Sequence, residues 1–245
     1  MDIKTGYVTL SVDDGTSMRA FVSWPSQTPR AGLLVFQEIF GINSHIRDVT
    51  ERFGREGFLA IAPELFHRTA PGFESGYTDM GPGFEQMKQV TDPGLEADIR
   101  AAHAWLKNSG QTQICSTGYC MGGRVSTLAA VTVPLACAAS YYGGGIAPSQ
   151  FNPGLLGRLK DLQAPMMFFW GGLDSHIPAE SVKSVTDTLD AAGKQYTNVK
   201  FSFADHGFFC DARGSYNPTA AAMAWPLTLA FFQTYTAGQS QQAGH

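Results

Sequence analysis

The stretch that decides the fold is QICSTGYCMGGR, residues 113–124. An apolar strand runs into a sharp turn at Cys120, and a helix begins near Met121. Gly118 and Gly122 stand two places to either side of the cysteine, which gives the layout G-x-C-x-G. A residue on a strained strand-to-helix turn needs neighbours two places away that have little or no side chain. The stretch therefore predicts a nucleophile elbow, with cysteine where the common form has serine.

The position of Cys120 on this turn has chemical consequences. Unpaired N–H groups and the dipole at a helix N-terminus favour the thiolate. The backbone N–H of Met121 would face an oxyanion that forms on a substrate. The alternative interpretation is a glycine-rich turn that holds an inert, buried cysteine. Cys115 and Cys137 lie on predicted strands and are interpreted as core residues.

Strands and helices alternate on both sides of this turn. Strands are predicted at 32–36, 58–62, 113–118, 135–141, 165–170 and 199–203, and helices at 43–55, 92–106, 121–129, 178–192 and 218–235. The first two segments, 7–12 and 18–24, flank an Asp-Asp-Gly turn and predict an antiparallel hairpin. The pattern predicts an α/β fold with a mostly parallel central sheet, helices on both faces and an N-terminal antiparallel hairpin.

Several details of this fold are open to test. Residues 64–83 are rich in Gly, Pro and aromatic residues and are predicted to form a long loop. Asp92 is predicted to cap the helix that follows it, and Pro226 to bend or interrupt the last helix. Residues 1–236 are predicted to form a single domain, with a flexible tail at 237–245.

Composition excludes several classes of function. The net charge of −4 and the lack of basic runs argue against nucleic acid as a partner. No signal peptide is visible and no apolar run approaches the ~20 residues that cross a bilayer, so we expect a cytoplasmic protein without a membrane partner. The four cysteines are interpreted as reduced thiols. No His/Cys spacing suggests zinc, so neither a metal nor another cofactor is expected.

The acid and the base of a triad can be placed by chain order. An α/β-hydrolase orders its residues nucleophile, acid, histidine. Asp174 stands on the loop after the strand at 165–170, and His206 on the loop after the strand at 199–203. Asp205 and His176 are the competing acid and base. Asp174 could otherwise cap the next helix, and His206 could be a loop histidine bonded to backbone.

Four segments together resemble the dienelactone hydrolase (carboxymethylenebutenolidase) family. They are FQEIFG at 36–41, GYCMGG at 118–123, GGLD at 171–174 and HGF at 206–208. Their order and spacing extend the resemblance from about Gly6 to Tyr235. The resemblance implies an α/β-hydrolase fold and hydrolysis of carboxylic ester or lactone bonds through a thiolester on the cysteine, with no cofactor.

The resemblance also assigns a role to Glu38. In the family this carboxylate contacts the resting thiol, and substrate entry displaces it so that it helps to ionise the cysteine. The backbone N–H of Ile39 is implied as the second oxyanion donor. The alternative for Glu38 is a carboxylate at a strand end that caps the helix beginning near Asn43.

The family holds its substrate carboxylate with arginines, and here this sequence departs from the pattern. No arginine lies between Arg68 and Arg100, and Cys210 stands four places after the histidine, with Arg213 next. Arg68 and Arg213 are therefore the candidate carboxylate binders, unless both are merely solvated. Aromatic candidates for the pocket, each of which could instead be core, are Phe40, Phe66, Phe73, Tyr77, Tyr142 and Phe208.

The function that the sequence predicts is hydrolysis of a small-molecule ester or lactone, including anionic ones, by a monomer or small homo-oligomer. One alternative is a broader carboxylesterase or thioesterase on the same scaffold. The other is a non-catalytic binding or redox-sensing protein that keeps the elbow.

Overall fold

The N-terminal hairpin is the first element of the computed structural model, which describes residues 1–149 and 152–237. Strands β1 (Ile3–Ser11) and β2 (Ser17–Pro25) pair antiparallel along their whole lengths. The predicted hairpin is therefore confirmed. The predicted flexible tail, apart from Ala237, lies outside the described residues.

Alternating strands and helices follow the hairpin. The strands are β3 (Ala31–Phe36), β4 (Phe58–Pro63), β5 (Ile114–Tyr119), β6 (Cys137–Tyr141), β7 (Met166–Gly171) and β8 (Tyr196–Phe201). The helices are α1 (Ser44–Arg55), α2 (Gly81–Met87), α3 (Asp92–Asn108), α4 (Met121–Thr132), α5 (Ala179–Ala191) and α6 (Pro218–Thr236), with a short 3₁₀ helix at Leu156–Asp161.

All eight strands form one sheet in the order β1-β2-β4-β3-β5-β6-β7-β8. The strands β3 to β8 run parallel to their neighbours, and β2 joins β4 antiparallel. Because parallel strands share their carboxyl ends, the loops after β3, β5, β7 and β8 open at the same edge. These are the loops that carry the predicted site residues.

Helices cover both faces of the sheet. Every residue of β3, β4, β5, β6 and β7 is buried, and successive strand residues face opposite sides, so neither face meets solvent there. Phe53 of α1 packs against Trp225 and Phe232 of α6, and α3 packs against α4. Among the described residues, no helix is both long and apolar enough to span a bilayer.

Three details differ from the predictions. The loop after β4 ends earlier than predicted, because α2 begins at Gly81 with Pro82 in its first turn. The cap of α3 is Thr91, whose side chain accepts from the N–H of Gly94, and Asp92 is the first helical residue. Helix α6 is not interrupted at Pro226, and Phe53 packs against Trp225 and Phe232 on either side of the proline; a bend there stays a prediction.

Candidate active site

Cys120 occupies the strained turn between β5 and α4. Its backbone has φ 56° and ψ −118°, in the half of conformational space that residues with a Cβ avoid. A Cβ on Gly118 would lie 1.9 Å from the carbonyl oxygen of Gly122, and one on Gly122 would lie 2.2 Å from that of Phe36. Both glycines of the G-x-C-x-G layout are thus required by close backbone contacts, as the sequence predicts.

Hydrogen bonds hold this turn against the sheet. The N–H of Cys120 donates to the carbonyl of Tyr141 over 3.1 Å, and the N–H of Gly123 donates to the carbonyl of Cys120 over 2.9 Å. Met121 is the first residue of α4 and has no intrahelical acceptor for its N–H. Within residues 1–149 and 152–237, neither this N–H nor that of Ile39 donates a hydrogen bond. Both donors are therefore available to an oxyanion.

His206 and Asp174 form a buried pair at the ends of β8 and β7. The ring Nδ1 of His206 lies 2.7 Å from Oδ2 of Asp174. The other carboxylate oxygen accepts from the backbone N–H groups of His176 at 2.8 Å and Ile177 at 3.2 Å. The same side chain thus shapes the loop before α5 and orients the imidazole. The helix-capping alternative for Asp174 is wrong, since the N-cap of α5 is Pro178 and no side chain caps that helix.

The two competing residues take other positions. Asp205 accepts from the backbone N–H of His206 over 2.6 Å, which ties it to its own loop. His176 is exposed, and its ring centroid lies 5.3 Å from that of His206. The structure therefore pairs His206 with Asp174.

Charge on the neighbours sets the protonation of this pair. Burial disfavours the imidazolium, but the Cys120 sulfur and the Asp174 carboxylate outweigh it and raise the pKa of His206 to about 10. Cys120 acts on the His206 ring through its charge, and Asp174 acts through both its charge and its hydrogen bond. Burial acts to raise the pKa of Asp174, yet the hydrogen bond and charge of His206 lower it overall. The protonation of the imidazole is therefore linked to the charges of the sulfur and the carboxylate.

Glu38 is fully buried and pairs with an arginine. Its Oε1 accepts from Nη1 of Arg213 over 2.9 Å, whereas its Oε2 has no hydrogen-bond partner among the described residues. Gly207 permits this approach, because a Cβ there would lie 2.5 Å from Arg213 Nη1. The capping alternative for Glu38 is wrong, since the side chain of Asn43 itself accepts from the N–H of Ile46 and caps α1.

Aromatic rings surround the guanidinium of Arg213. Its carbon lies 5.7 Å from the ring centroid of Phe40 and 5.9 Å from that of Tyr77, and these two rings meet edge to face at 4.5 Å. Burial acts against the charge of Arg213, but Glu38 and Cys120 raise its pKa overall. Arg213 is therefore a permanently cationic group beside the triad.

Tyr142 and Phe208 support the histidine from behind. The Tyr142 ring centroid lies 5.1 Å from the ring centroids of His206 and Phe208. Both aromatic side chains are fully buried. They form a wall behind the imidazole rather than an open pocket surface.

The structure does not bring Arg68 together with the triad. Its Nε donates to Asp14 at 2.7 Å, and its two terminal nitrogens donate to Asp98 at 2.9 and 2.8 Å. The cavity beside it is lined by Phe66, Thr91 and other residues, with no triad member among them. Because Asp14 and Asp98 already occupy this guanidinium, Arg68 does not serve as a carboxylate binder for the triad.

Sequence reasoning missed the tertiary partners of Glu38. Besides Arg213, the side chains of His45 and Cys210 approach it: one ligating atom from each of the three lies within 4.8 Å of the others. Among the described residues this is the group that could hold a metal ion. Only the position of Arg213, seven places after His206, gave any signal in the sequence.

Comparison with known proteins finds one family throughout the chain. The model of the "Dienelactone hydrolase family" matches residues 18–236. A protein of Synechocystis named "Putative carboxymethylenebutenolidase" is 37% identical over 243 residues, which span 96% of this chain and 98% of that one. A protein of the same name from Escherichia coli K12 is 32% identical, over 95% of this chain and 88% of its own.

Solved structures agree with this result. A crystal structure from Klebsiella pneumoniae, described as "Putative Dienelactone Hydrolase", superimposes with a TM-score of 0.88 at 32% identity, covering 96% of this chain and all of that one. A metagenomic "Dienelactone Hydrolase-like Promiscuous Phospotriesterase P91" gives 0.82 at 20% identity, over 96% of this chain and 99% of that one, and supports the fold alone.

Proposed function

Because the chain is a member of the dienelactone hydrolase family, we propose that it hydrolyses small-molecule carboxylic esters or lactones with Cys120 as its nucleophile. The observation that carries this proposal is the strained Cys120 turn, whose sulfur acts electrostatically on a histidine that a buried carboxylate already holds. His206 is the proton carrier in this scheme, and Asp174 fixes its tautomer and orientation.

Acylation begins with attack of the Cys120 sulfur on the substrate carbonyl carbon. The electron pair of the C=O bond moves to the oxygen, where the N–H groups of Met121 and Ile39 can donate hydrogen bonds. As the tetrahedral adduct collapses, the C–O bond breaks and His206 gives its proton to the departing oxygen. A thiolester remains on the cysteine; in a lactone the departing oxygen stays on the same molecule.

Deacylation uses the same groups in reverse. A water molecule gives a proton to His206 and attacks the thiolester carbonyl. The C–S bond breaks, the sulfur departs as thiolate, and the carboxylic acid product is released. The Cys120 thiolate and the His206 imidazolium are thereby restored, and a proton that Glu38 took from the thiol at the start returns to the sulfur when the product leaves.

Glu38 and Arg213 link this chemistry to the charge of the substrate. Arg213 balances the negative charge of Glu38 in the structure. Its positive charge also favours a thiolate at Cys120. A substrate carboxylate that competed for Arg213 would leave Glu38 unpaired beside the site. Glu38 would then be a base able to take the thiol proton, which is the activating role we propose for it.

A neutral substrate is the second candidate. Asp14 and Asp98 engage Arg68, so a single guanidinium remains beside the triad in the described part of the chain. One arginine with an aromatic surround suits an uncharged ester or thioester as well as an anionic lactone. This observation favours a broader carboxylesterase or thioesterase as the alternative.

A substrate panel tests both candidates. Anionic lactones, neutral esters and thioesters are assayed with the wild-type protein and with Cys120→Ala. We expect turnover of at least one class by the wild type and none by the variant. If the wild type turns over no class, the non-catalytic binding or redox-sensing alternative becomes the better account.

A further inference from the structure

We propose that Glu38, His45 and Cys210 form a binding site for one borderline-soft divalent cation, Zn²⁺ foremost. Such a site goes beyond ester hydrolysis and exists whether or not the protein is a hydrolase. Carboxylate oxygen, imidazole nitrogen and thiolate sulfur are the ligand types that zinc takes in proteins.

The geometry suits a single ion. The three ligating atoms lie within 4.8 Å of one another. Zinc binds oxygen and nitrogen at about 2.0–2.2 Å and sulfur at about 2.3 Å, so in a tetrahedral site the ligand atoms lie roughly 3.4–3.7 Å from one another. Closure around the ion therefore needs side-chain shifts of up to about 1 Å, on the order of a change within or between rotamers.

Two of the three side chains have buried polar atoms without a hydrogen-bond partner among the described residues. Both ring nitrogens of His45 and Oε2 of Glu38 are buried without a hydrogen-bond partner among the described residues. Buried polar atoms in native proteins nearly always have a partner, and a bound ion is one recognised partner where no protein group serves. Two such side chains that converge on the same point indicate a ligand between them.

The charges at the cluster also match a dication. The Glu38 carboxylate and a Cys210 thiolate together bring two negative charges to the ion, and the Asp211 carboxylate beside His45 offsets the positive charge of Arg213 on Glu38. Burial and the nearby Glu38 raise the pKa of Cys210 to about 11, so the metal must displace the thiol proton when it binds. Arg213 can keep its hydrogen bond, because it uses Oε1 and leaves Oε2 for the metal.

The surroundings of His45 resemble those of a metal ligand. Its Nδ1 lies 3.9 Å from Oδ1 of Asp211. A ligating histidine commonly directs its second nitrogen to a carboxylate, which fixes the ring and makes the first nitrogen a better ligand. A small approach of Asp211 would complete that arrangement and leave Nε2 of His45 for the ion.

Tyr77 lies beside the cluster and leaves room in the coordination sphere for a non-protein ligand. This partly exposed side chain accepts a hydrogen bond from the side-chain amide of Asn43 over 2.9 Å, which holds its hydroxyl. Three protein ligands would then leave the fourth position of a tetrahedral zinc site to water.

Occupation of this site has a consequence for the proposed reaction. A metal on Oε2 would hold Glu38 in place and neutralise it, whereas the proposed activation needs a free carboxylate. We therefore expect Zn²⁺ to inhibit hydrolysis, and this part of the inference alone rests on the proposed function.

The test measures metal binding in the Cys120→Ala protein, so that neither the catalytic thiol nor turnover contributes. Co²⁺ is the probe, because a thiolate ligand gives it a sulfur-to-cobalt charge-transfer band in the near ultraviolet. We expect one Co²⁺ per chain with this band, displaced by Zn²⁺. Adding Cys210→Ser should abolish the band, and adding His45→Gln should weaken binding by about tenfold or more.

Matched variants control for folding and for nonspecific sites. Cys115→Ser and His103→Gln alter another buried cysteine and another buried histidine and should leave Co²⁺ binding unchanged. Circular dichroism without metal identifies variants that fail to fold; if Cys210→Ser does, Cys210→Ala and Glu38→Gln replace it. Absence of the band, or its persistence without Cys210, overturns the proposed site.

Inhibition of the wild type locates the metal in the active protein. Hydrolysis by His45→Gln should resist Zn²⁺ at concentrations that inhibit the wild type. Equal inhibition of both would place the inhibitory ion on Cys120 and His206 and overturn the regulatory consequence, while the cobalt titration would still decide the binding site.

Discussion

Two buried histidine–aspartate pairs lie in the part of the chain that the structure describes, and only one of them is proposed to be catalytic. His206 Nδ1 meets Asp174 over 2.7 Å, and His67 Nε2 meets Asp98 over 3.0 Å. All four side chains are largely removed from solvent. Burial and a short contact therefore do not distinguish a catalytic pair from a structural one.

The difference lies in the third partner. Asp98 also accepts two hydrogen bonds from Arg68, which neutralises the carboxylate and fixes it within a salt-bridge network. Asp174 accepts hydrogen bonds from backbone N–H groups instead, and the charge of Cys120 acts on the ring of His206. The proposed nucleophile on a strained turn, together with a carboxylate that has no arginine partner among the described residues, separates the two pairs.

Removal of the nucleophile is expected to have the largest effect on activity. Cys120→Ala should lower kcat on the order of 10⁴–10⁶-fold, the scale seen when a triad loses its nucleophile. The melting temperature should change little, because the site lies on a turn and loses one sulfur atom. Retention of more than a few per cent of activity in a steady-state assay would exclude Cys120 from the mechanism.

The two aspartates offer a matched test of the comparison. Asp174→Asn should lower kcat by about 10²–10⁴-fold with a small change in stability, because the histidine loses its orienting carboxylate. Asp98→Asn should leave kcat nearly unchanged but lower the free energy of unfolding by about 1–3 kcal/mol, since Arg68 loses its buried partner. Steady-state kinetics and urea unfolding of both variants measure the two effects, and the opposite assignment would reverse our comparison.

The two arginines provide a second matched pair. Arg213→Gln should raise KM for an anionic substrate by about 10–150-fold, the equivalent of ~1.5–3 kcal/mol for a charge-assisted bond. KM for a neutral ester should stay near the wild-type value in the same variant. Arg68→Gln should alter neither constant. A rise for both substrates in Arg213→Gln would make this arginine structural.

Glu38→Gln tests how the neighbouring carboxylate charge affects the reactivity of the Cys120 sulfur. Without the carboxylate, Arg213 and the α4 N-terminus act on Cys120 unopposed, so alkylation by iodoacetamide near neutral pH should accelerate several-fold, on the order expected for a less disfavoured thiolate. Turnover should fall, because the proposed activating base is lost. The rates are measured with Cys210→Ser as background, and unchanged alkylation would mean that Glu38 does not restrain the thiol.

Acid titration should reveal the smallest effect. The folded-state pKa of Asp174 is lowered, so its contribution to stability is present above the ordinary aspartate value of about 3.9 and is lost as the pH falls through the lowered value. The wild type should therefore lose more stability than Asp174→Asn on acidification below about pH 4. Urea unfolding of both proteins across this range measures the difference, and parallel curves would argue against the pair.

Residues close in sequence to a strand end were predictable, and distant partners were not. The elbow around Cys120 follows from glycine spacing, and the Asp174 and His206 positions follow from strand order, because parallel strands present their carboxyl ends at one edge. The cap by Asn43 is likewise local. These features depend on short-range geometry that the amino-acid pattern carries.

The pairing of charges depends on tertiary packing instead. Glu38 and Arg213 are 175 residues apart along the chain, and nothing in either segment indicates the other. Arg68 was a candidate substrate binder, but Asp14 and Asp98 engage it from the hairpin turn and from α3. Which carboxylate pairs with a given arginine depends on distances that only the assembled fold defines.

The central claim is that a thiolester forms on Cys120, and direct trapping tests it. A single turnover of a neutral ester is quenched with acid, and the digested protein is analysed by mass spectrometry. We predict that the peptide containing Cys120 gains the mass of the acyl group, that hydroxylamine removes it, and that Cys120→Ala shows no such adduct. Turnover without an acylated Cys120 peptide, or with the acyl group on another residue, would contradict the account.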